Sequence, residues 1–357
     1  MVGLKDRKFN IPTSTVGRKR NFSEKNVLLK EKTFKKSNAQ LFCGDSLEFY
    51  KKWKKPTVII SDGGYGVLGF QGDTANHHYL PEWYEQHIIQ WSKFAQSNTT
   101  LWFWNSEIGW ASVHPILEKY GWEYINCNIW NKGLGHIAGN VNTTKIRRFP
   151  VVSELCVQYA FKFKINNQTL QEWLINEWKR TGLPLKRANE ACGVKDVATR
   201  KYFDSGHLWY FPPVEMFEKL VSYANKYGKE NGKPYFSIDG HIPLSAQEWN
   251  NMRYKFHCPH GFTNVWERSA LRGKERIKSP VDEKKCAHLN QKPLDLMRLI
   301  IEASSDINDV VWEPFGGLFS ASLAAVLINR KVFAAEIDPA YYSIGISRFE
   351  NLSSFDK

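Results

Sequence analysis

Residues 309–338 read DVVWEPFGGLFSASLAAVLINRKVFAAEID. VVWE is a short apolar run rich in β-branched residues, PFGG is a turn, and LFSASLAAVLIN is a stretch of small and apolar residues. KVFAAEID is a second apolar run, closed by an acid. The pattern is that of a buried strand, a glycine turn, a helix and a second strand. A glycine turn behind a buried strand lets a ligand approach the backbone, and Glu336 at the end of the next strand can accept both hydroxyls of a ribose. This is the logic of an adenosine-cofactor site, although the GxGxxG of a dinucleotide fold is absent. A plain βα turn needs Gly316-Gly317 as well, and Glu336 also fits a surface acid at a strand end.

The same texture extends to both sides. QKPLDLMRLIIEASS (291–305) has the spacing of an amphipathic helix, and PAYYSIGISRFEN (339–351) reads as a closing helix. Far upstream, AQLFCGDSLEFYKKW (39–53) suggests a strand followed by a helix capped at Asp45-Ser46. PTVIISDGG (56–64) is a buried strand that stops abruptly. Helices are expected over 81–97 and 111–120, with strands at 99–106, 122–130 and 151–162. Strands alternating with helices predict an α/β fold with a largely parallel sheet. Between about 165 and 287 the texture changes. Helices are expected over 168–182, 185–193, 195–203, 212–228 and near 245–255, among many turns. The pair 185–193 and 195–203, with Gly193-Val194 between, has the outline of a helix-turn-helix, or of a helical hairpin that merely packs on the α/β part.

The strand ending at Ser61-Asp62-Gly63-Gly64-Tyr65-Gly66 concentrates polar chemistry where open α/β sheets bind ligands, beyond the carboxyl ends of strands. A carboxylate and the Gly63 carbonyl can accept the two hydrogens of an exocyclic amine, and Tyr65 can stack on a planar base.

These pieces together resemble the amino-group DNA methyltransferases, which methylate adenine N6 or cytosine N4. Asp62-Gly63-Gly64-Tyr65 stands at their (D/N/S)-P-P-(Y/F/W) motif. Glu313-Pro314-Phe315-Gly316-Gly317 stands at their D-P-F-x-G-x-G motif, Asn290-Gln291-Lys292-Pro293 at N-Q-K-P, and Gly44-Asp45 at the early G-D. The order, catalytic motif first, is similar to that of the permuted beta group. The resemblance spans about 40–162 and 286–350. It departs from the pattern where Gly-Gly replaces Pro-Pro, where Glu313 replaces Asp and where Leu follows the paired glycines.

The resemblance implies a Rossmann-like fold dependent on S-adenosylmethionine, with a helical and irregular target-recognition insert. Composition marks off a basic arm (1–38) and the change of texture an insert (165–287), which leaves a catalytic half (39–164) and a cofactor-binding half (288–357). The resemblance implies direct transfer by Asp62, Gly63, Gly64 and Tyr65 to a base flipped out of duplex DNA. Asp45, residues 290–293, residues 313–317 and Glu336 would hold the cofactor. Asp62 at the first motif position favours adenine over cytosine N4, which stays the alternative, as does an inactive DNA-binding relative. Family habit adds a bacterial or archaeal restriction–modification setting, with an endonuclease acting on the same site and a monomer or homodimer in the cytoplasm.

Charge and composition agree with a nucleic-acid partner. The 357 residues carry 49 Lys and Arg against 36 Asp and Glu, net +13, and the first 40 hold 11 basic and three acidic residues. Aromatic residues reach 14%, and their faces are what unstacked bases sit on. In the Gly/Asn-rich loop 131–148, Lys145, Arg147 and Arg148 are candidates for phosphate contacts. On the second short helix, Lys195, Thr199, Arg200 and Lys201 are candidates for base or backbone contacts. His257, Cys258, His260, Cys286 and His288 could form a zinc set, but the HCxH spacing is unlike the common knuckles, so no metal is expected. Six scattered cysteines suggest reduced thiols. No apolar run approaches the ~20 residues of a membrane helix, and no apolar region follows the basic start, so no membrane span or secretory signal is expected.

Overall fold

The computed structural model describes residues 33–68, 73–136, 146–195, 198–230, 232–282, 284–350 and 352. Most of the arm read from the sequence, and Lys145, lie outside them. The described end of the arm belongs to the sheet. Strand β1 (Thr33–Lys36) pairs antiparallel with β2 (Ala39–Cys43) and forms one edge of the sheet.

The other sheet strands are β3 (Val58–Ser61), β4 (Thr100–Asn105), β5 (Trp122–Asn131), β6 (Ser153–Phe161), β9 (Val265–Glu267), β10 (Val310–Glu313) and β11 (Lys331–Glu336). They join in the order β1-β2-β11-β10-β3-β4-β6-β5-β9. From β2 to β4 every neighbour is parallel, whereas β6 runs antiparallel to both β4 and β5. The helices of this part are α1 (Leu80–Phe94), α2 (Glu107–Lys119), α7 (Leu294–Ser304), α8 (Ser320–Leu327) and α9 (Pro339–Glu350). The 39–53 stretch expected to hold a helix forms two 3₁₀ turns instead, with Asp45 capping the first through the Leu47 amide.

The connections decide where a ligand goes. From β3 the chain crosses through α1 to β4 on one side, and from β10 through α8 to β11 on the other. The chain therefore reverses its winding between the neighbours β3 and β10, and a crevice opens beyond their carboxyl ends. One face of the sheet carries Ile59, Leu101, Phe103 and Trp312, packed against Tyr84, Ile88 and Trp91 of α1 and Val113 and Leu117 of α2.

The insert has a core of its own. A small hairpin of β7 (Lys164–Ile165) and β8 (Gln168–Thr169) leads into α3 (Leu170–Arg180), α4 (Lys186–Cys192), α5 (Val214–Tyr227) and α6 (Ala246–Asn250). Trp173, Trp178, Phe217 and Trp249 anchor that core. Beyond it, β9 returns to the main sheet and pairs parallel with β5. The helix-turn-helix outline is corrected. Gly193, left-handed at φ +66°, ends α4, and the described part of 195–203 holds only a 3₁₀ turn, Arg200–Tyr202. The reason is local. The Thr199 amide and hydroxyl both donate to the Asn189 side-chain oxygen, at 3.0 and 2.7 Å, which folds the segment back onto α4.

Candidate active site

β3 delivers Asp62 to the crevice, where its side chain is 20% exposed. Asp62 Oδ1 accepts from Lys292 Nζ at 2.6 Å and lies 3.0 Å from the Tyr65 hydroxyl. Lys292 also reaches Glu154 Oε1, on β6, at 3.0 Å, and Lys132 Nζ lies 2.8 Å from Glu154 Oε2. The Tyr65 hydroxyl donates to Glu154 at 2.5 Å. Burial pushes the Asp62 carboxyl above the usual carboxylate range, opposed by Lys292 and aided by Glu154. At Glu154 burial acts in the same direction, but Lys292 and Lys132 outweigh it and bring the carboxyl down to about 2. Burial alone would discharge Lys292, yet Asp62 and Glu154 more than offset it, so its ammonium is held charged. The resemblance implies a cofactor contact for Lys292. The structure turns it to the carboxylate of the transfer motif instead, and Glu154 and Lys132 were not anticipated at all.

Gly63 and Gly64 serve close packing rather than unusual backbone angles, since neither has a positive φ. A Cβ on Gly63 would stand 2.7 Å from the Phe315 ring and 2.8 Å from the Tyr84 hydroxyl. The Gly64 carbonyl accepts from Tyr84 at 3.0 Å and from Asn105 Nδ2 at 2.8 Å, so it faces inward. Gly64, read as catalytic, therefore shapes the loop and does not line the cleft. The Gly63 carbonyl has no hydrogen-bond partner among the described residues. Asp73 braces the far side of the loop by accepting from the amides of Gly66 and Val67 at 2.9 and 3.1 Å.

The carboxyl ends of β2, β10 and β11 complete the cleft, whose empty volume, open mouth included, is about 1060 Å³. Gly44, Asp45, Asp62, Gly63, Asn290, Gln291, Lys292, residues 313–317 and Glu336 all line it. Pro293 does not; it stands just ahead of α7. Glu336 Oε2 accepts from the Gly317 amide at 2.6 Å and Oε1 from the Asp338 amide at 2.8 Å. Each oxygen keeps a lone pair for a further donor. Gly317 is left-handed at φ +52°, and a Cβ on Gly316 would fall 2.2 Å from the Phe319 ring, so the turn itself calls for glycine at both positions. Trp83, His87, His288, Ile337 and Tyr341 add walls the sequence reading missed. An acid, a bare glycine turn and apolar walls suit an adenosine group.

Glu313 and Gln291 act differently from expectation. The Glu313 carboxylate accepts from the amides of Ala321 and Ser322, at 3.1 and 2.7 Å, and so caps α8. Gln291 accepts from the Ile277 amide and donates to the Glu275 carbonyl, which pins the 273–277 segment.

Arg147, Arg148, Lys195, Arg200 and Lys201 are exposed, whereas Thr199 is buried against Asn189 and cannot face a groove. The suggested zinc residues are placed apart in function. His288 packs on Tyr341 in the cleft, Cys286 accepts from Arg276, and His257 faces Asp306. Among the described residues no three His, Cys, Asp or Glu side chains are grouped to hold a metal. Nor is any described helix long and apolar enough to cross a membrane.

A family model described as DNA methylase (N6/N4) matches residues 50–347. Type II methyltransferase M.HinfI of Haemophilus influenzae is 36% identical over 89 residues, which are 25% of this chain and 24% of that protein. DNA adenine methyltransferase YhdJ of Escherichia coli is 34% identical over 92 residues, 26% of this chain and 29% of that protein. The aligned stretch thus spans less than a third of either relative. The solved cytosine-N4-specific PvuII DNA methyltransferase superposes with a TM-score of 0.51 at 14% identity, over 88% of this chain and 86% of that one. That likeness is one of fold.

Proposed function

Because the chain belongs to the N6/N4 family of DNA methylases, we propose that it methylates the exocyclic amine of a base in duplex DNA, adenine N6 by preference. The observation that carries this reading is one continuous cleft with Asp62 and Gly63 at one end and Gly317 and Glu336 at the other. When bound, S-adenosylmethionine supplies a methyl group on an electron-poor sulfonium. Glu336 would accept its ribose hydroxyls, and Gly316-Gly317 would let it lie against the backbone. Asp62 and the Gly63 carbonyl accept the two amine hydrogens and so aim the nitrogen lone pair across the cleft. The same carboxylate stabilises the positive charge that develops on that nitrogen, whose surplus proton then leaves to water. The Tyr65 ring, tethered at its hydroxyl, is a fixed platform for the face of a flipped base.

Asp62 at the first motif position supports adenine, as does the name of the YhdJ relative, a DNA adenine methyltransferase. The relatives named type II methyltransferases support a role beside a restriction endonuclease with the same target. The exposed cations of the insert and of the 146–148 segment support DNA as the partner.

The test is a transfer assay on unmethylated genomic DNA with labelled S-adenosylmethionine, followed by mass spectrometry of the nucleosides. N6-methyladenine is expected with the native chain and none with Asp62→Ala. N4-methylcytosine would overturn the base assignment, and tight DNA binding without any product would leave a binder rather than an enzyme.

A further inference from the structure

Asp62 is asked to be an acceptor in surroundings that favour its neutral form. It would lose that role on protonation, since a protonated oxygen becomes a donor. Tyr65 does not settle the matter. It has one hydroxyl proton for two carboxylates, and the shorter contact goes to Glu154, at 2.5 Å against 3.0 Å for Asp62. The donor left at Asp62 Oδ1 is the Lys292 ammonium, at 2.6 Å. Its three N–H groups are matched by Asp62, Glu154 and the Tyr65 oxygen. Lys132 closes the line by pairing with the other oxygen of Glu154. Charges therefore alternate from Asp62 through Lys292 and Glu154 to Lys132, and they sum to zero. Asp62 Oδ2 has no hydrogen-bond partner among the described residues, and Asp62 lines the cleft.

We propose that Lys292 is the positioning residue of the transfer site: its ammonium holds Asp62 charged and turned so that Oδ1 faces the protein and Oδ2 the incoming amine, while Glu154, tied to Lys132, holds the ammonium in place. The proposal rests on the reading of this cleft as a methyl-transfer site. Among the described residues, the groups around Asp62 leave no substitute. Glu154 and Cys156 face it from β6, Tyr65 from its own loop and Tyr84 from α1, with Asp73 behind Tyr84. None of these is a cation. His288, beside Lys292, is held neutral, its pKa brought down to about 4 by burial and by Lys292 itself. Lys132 is reached only through Glu154.

The experiment follows the Asp62 carboxyl carbon by NMR in the full chain labelled with [13Cγ]aspartate, the resonance being assigned with Asp62→Asn. Asp62 should be ionised at pH 7.5 in the native chain. In Lys292→Met its midpoint should rise by ~2 pH units or more. Lys292→Gln should give the same shift and serves if the methionine variant does not fold; Lys292→Arg should restore the native midpoint. In the transfer assay, Lys292→Met should lower kcat/KM below the shifted midpoint by about tenfold for each pH unit and regain the native value on the alkaline side of it, with cofactor affinity unchanged. An unshifted carbon titration would overturn the proposal, as would an activity loss that ignores pH or a loss of cofactor affinity in its place. A native chain that methylates no DNA would refute the function, whereas the carbon titration would still decide the role of Lys292.

Discussion

Glu313 and Glu336 end neighbouring strands of one cleft, and burial pushes both carboxyls up to about 7. Their partners separate their tasks. Glu313 is engaged by the amides of α8, whereas Glu336 holds two amides and keeps lone pairs toward the cleft. The sign of the pH effect at Glu336 follows. The raised value means that the folded chain carries a proton there below about 7, so the acceptor proposed for the ribose is at full strength only above that pH. His87 and His288, both brought down to about 4 with burial as the largest cause, stay neutral across the same window. Affinity for S-adenosylmethionine should fall about tenfold from pH 8 to pH 6 through this group alone. Because the free cofactor also titrates, the quantity to measure by calorimetry is the ratio of native to Glu336→Gln affinities at each pH. A ratio that does not change with pH would remove Glu336 from ribose recognition. Linkage to folding has the opposite sense: a carboxyl raised by burial stabilises the fold on the acid side of its ordinary value, and that contribution is lost as pH rises through about 7.

The elements of the sheet were legible because buried strands are short apolar runs and the helices between them carry their own stops. VVWE and VFAAE lie within strands almost as read, and α5 starts just after Pro212-Pro213 and stops at Gly228. What failed to show depends on partners far away in sequence. Glu154 is one acid in an apolar strand, and only the fold brings Lys292 and Lys132 to it. The signal available was the acid itself, since a charge next to a run of buried residues needs a partner. Thr199 misled in the other direction. It has the polarity of a groove contact, yet its hydroxyl is consumed within the insert by Asn189. The insert core makes a prediction of its own. Trp249 on α6 is fully buried and stacked between Phe211 and Phe217, with ring centroids at 4.3 and 4.2 Å. Trp249→Ala should cost about 3–5 kcal/mol by urea unfolding. Hydrogen exchange should rise in α3 and α5 while β3 and β10 keep their protection, because Trp249 belongs to a cluster separate from that of the sheet. Protection lost from the central strands as well would mean that insert and sheet unfold as one unit.

At the scale of the whole molecule the relevant quantity is charge. A net +13 is long-range attraction for a polyanion, and it carries no sequence information by itself. Selectivity has to come from side chains that reach base edges, whereas phosphate contacts set register and affinity. Arg147 and Arg148 are exposed on the segment that leads from the Gly/Asn-rich loop into β6, the strand that carries Glu154. On the proposed function, that placement makes them backbone contacts beside the flipped base. Each phosphate contact contributes a slope of about −0.9 to the dependence of log affinity on log salt concentration. Replacing both arginines by alanine should therefore flatten the slope by about 2 and weaken target and non-target duplexes to the same extent. The check is a fluorescence-anisotropy titration of both duplexes at several salt concentrations with the native and doubly substituted chains. If the slope held and only the preference for the target fell, the arginines would be reading bases. The basic field would then have to be carried by the arm and the insert, because removal of two surface charges cannot otherwise leave counterion release unchanged.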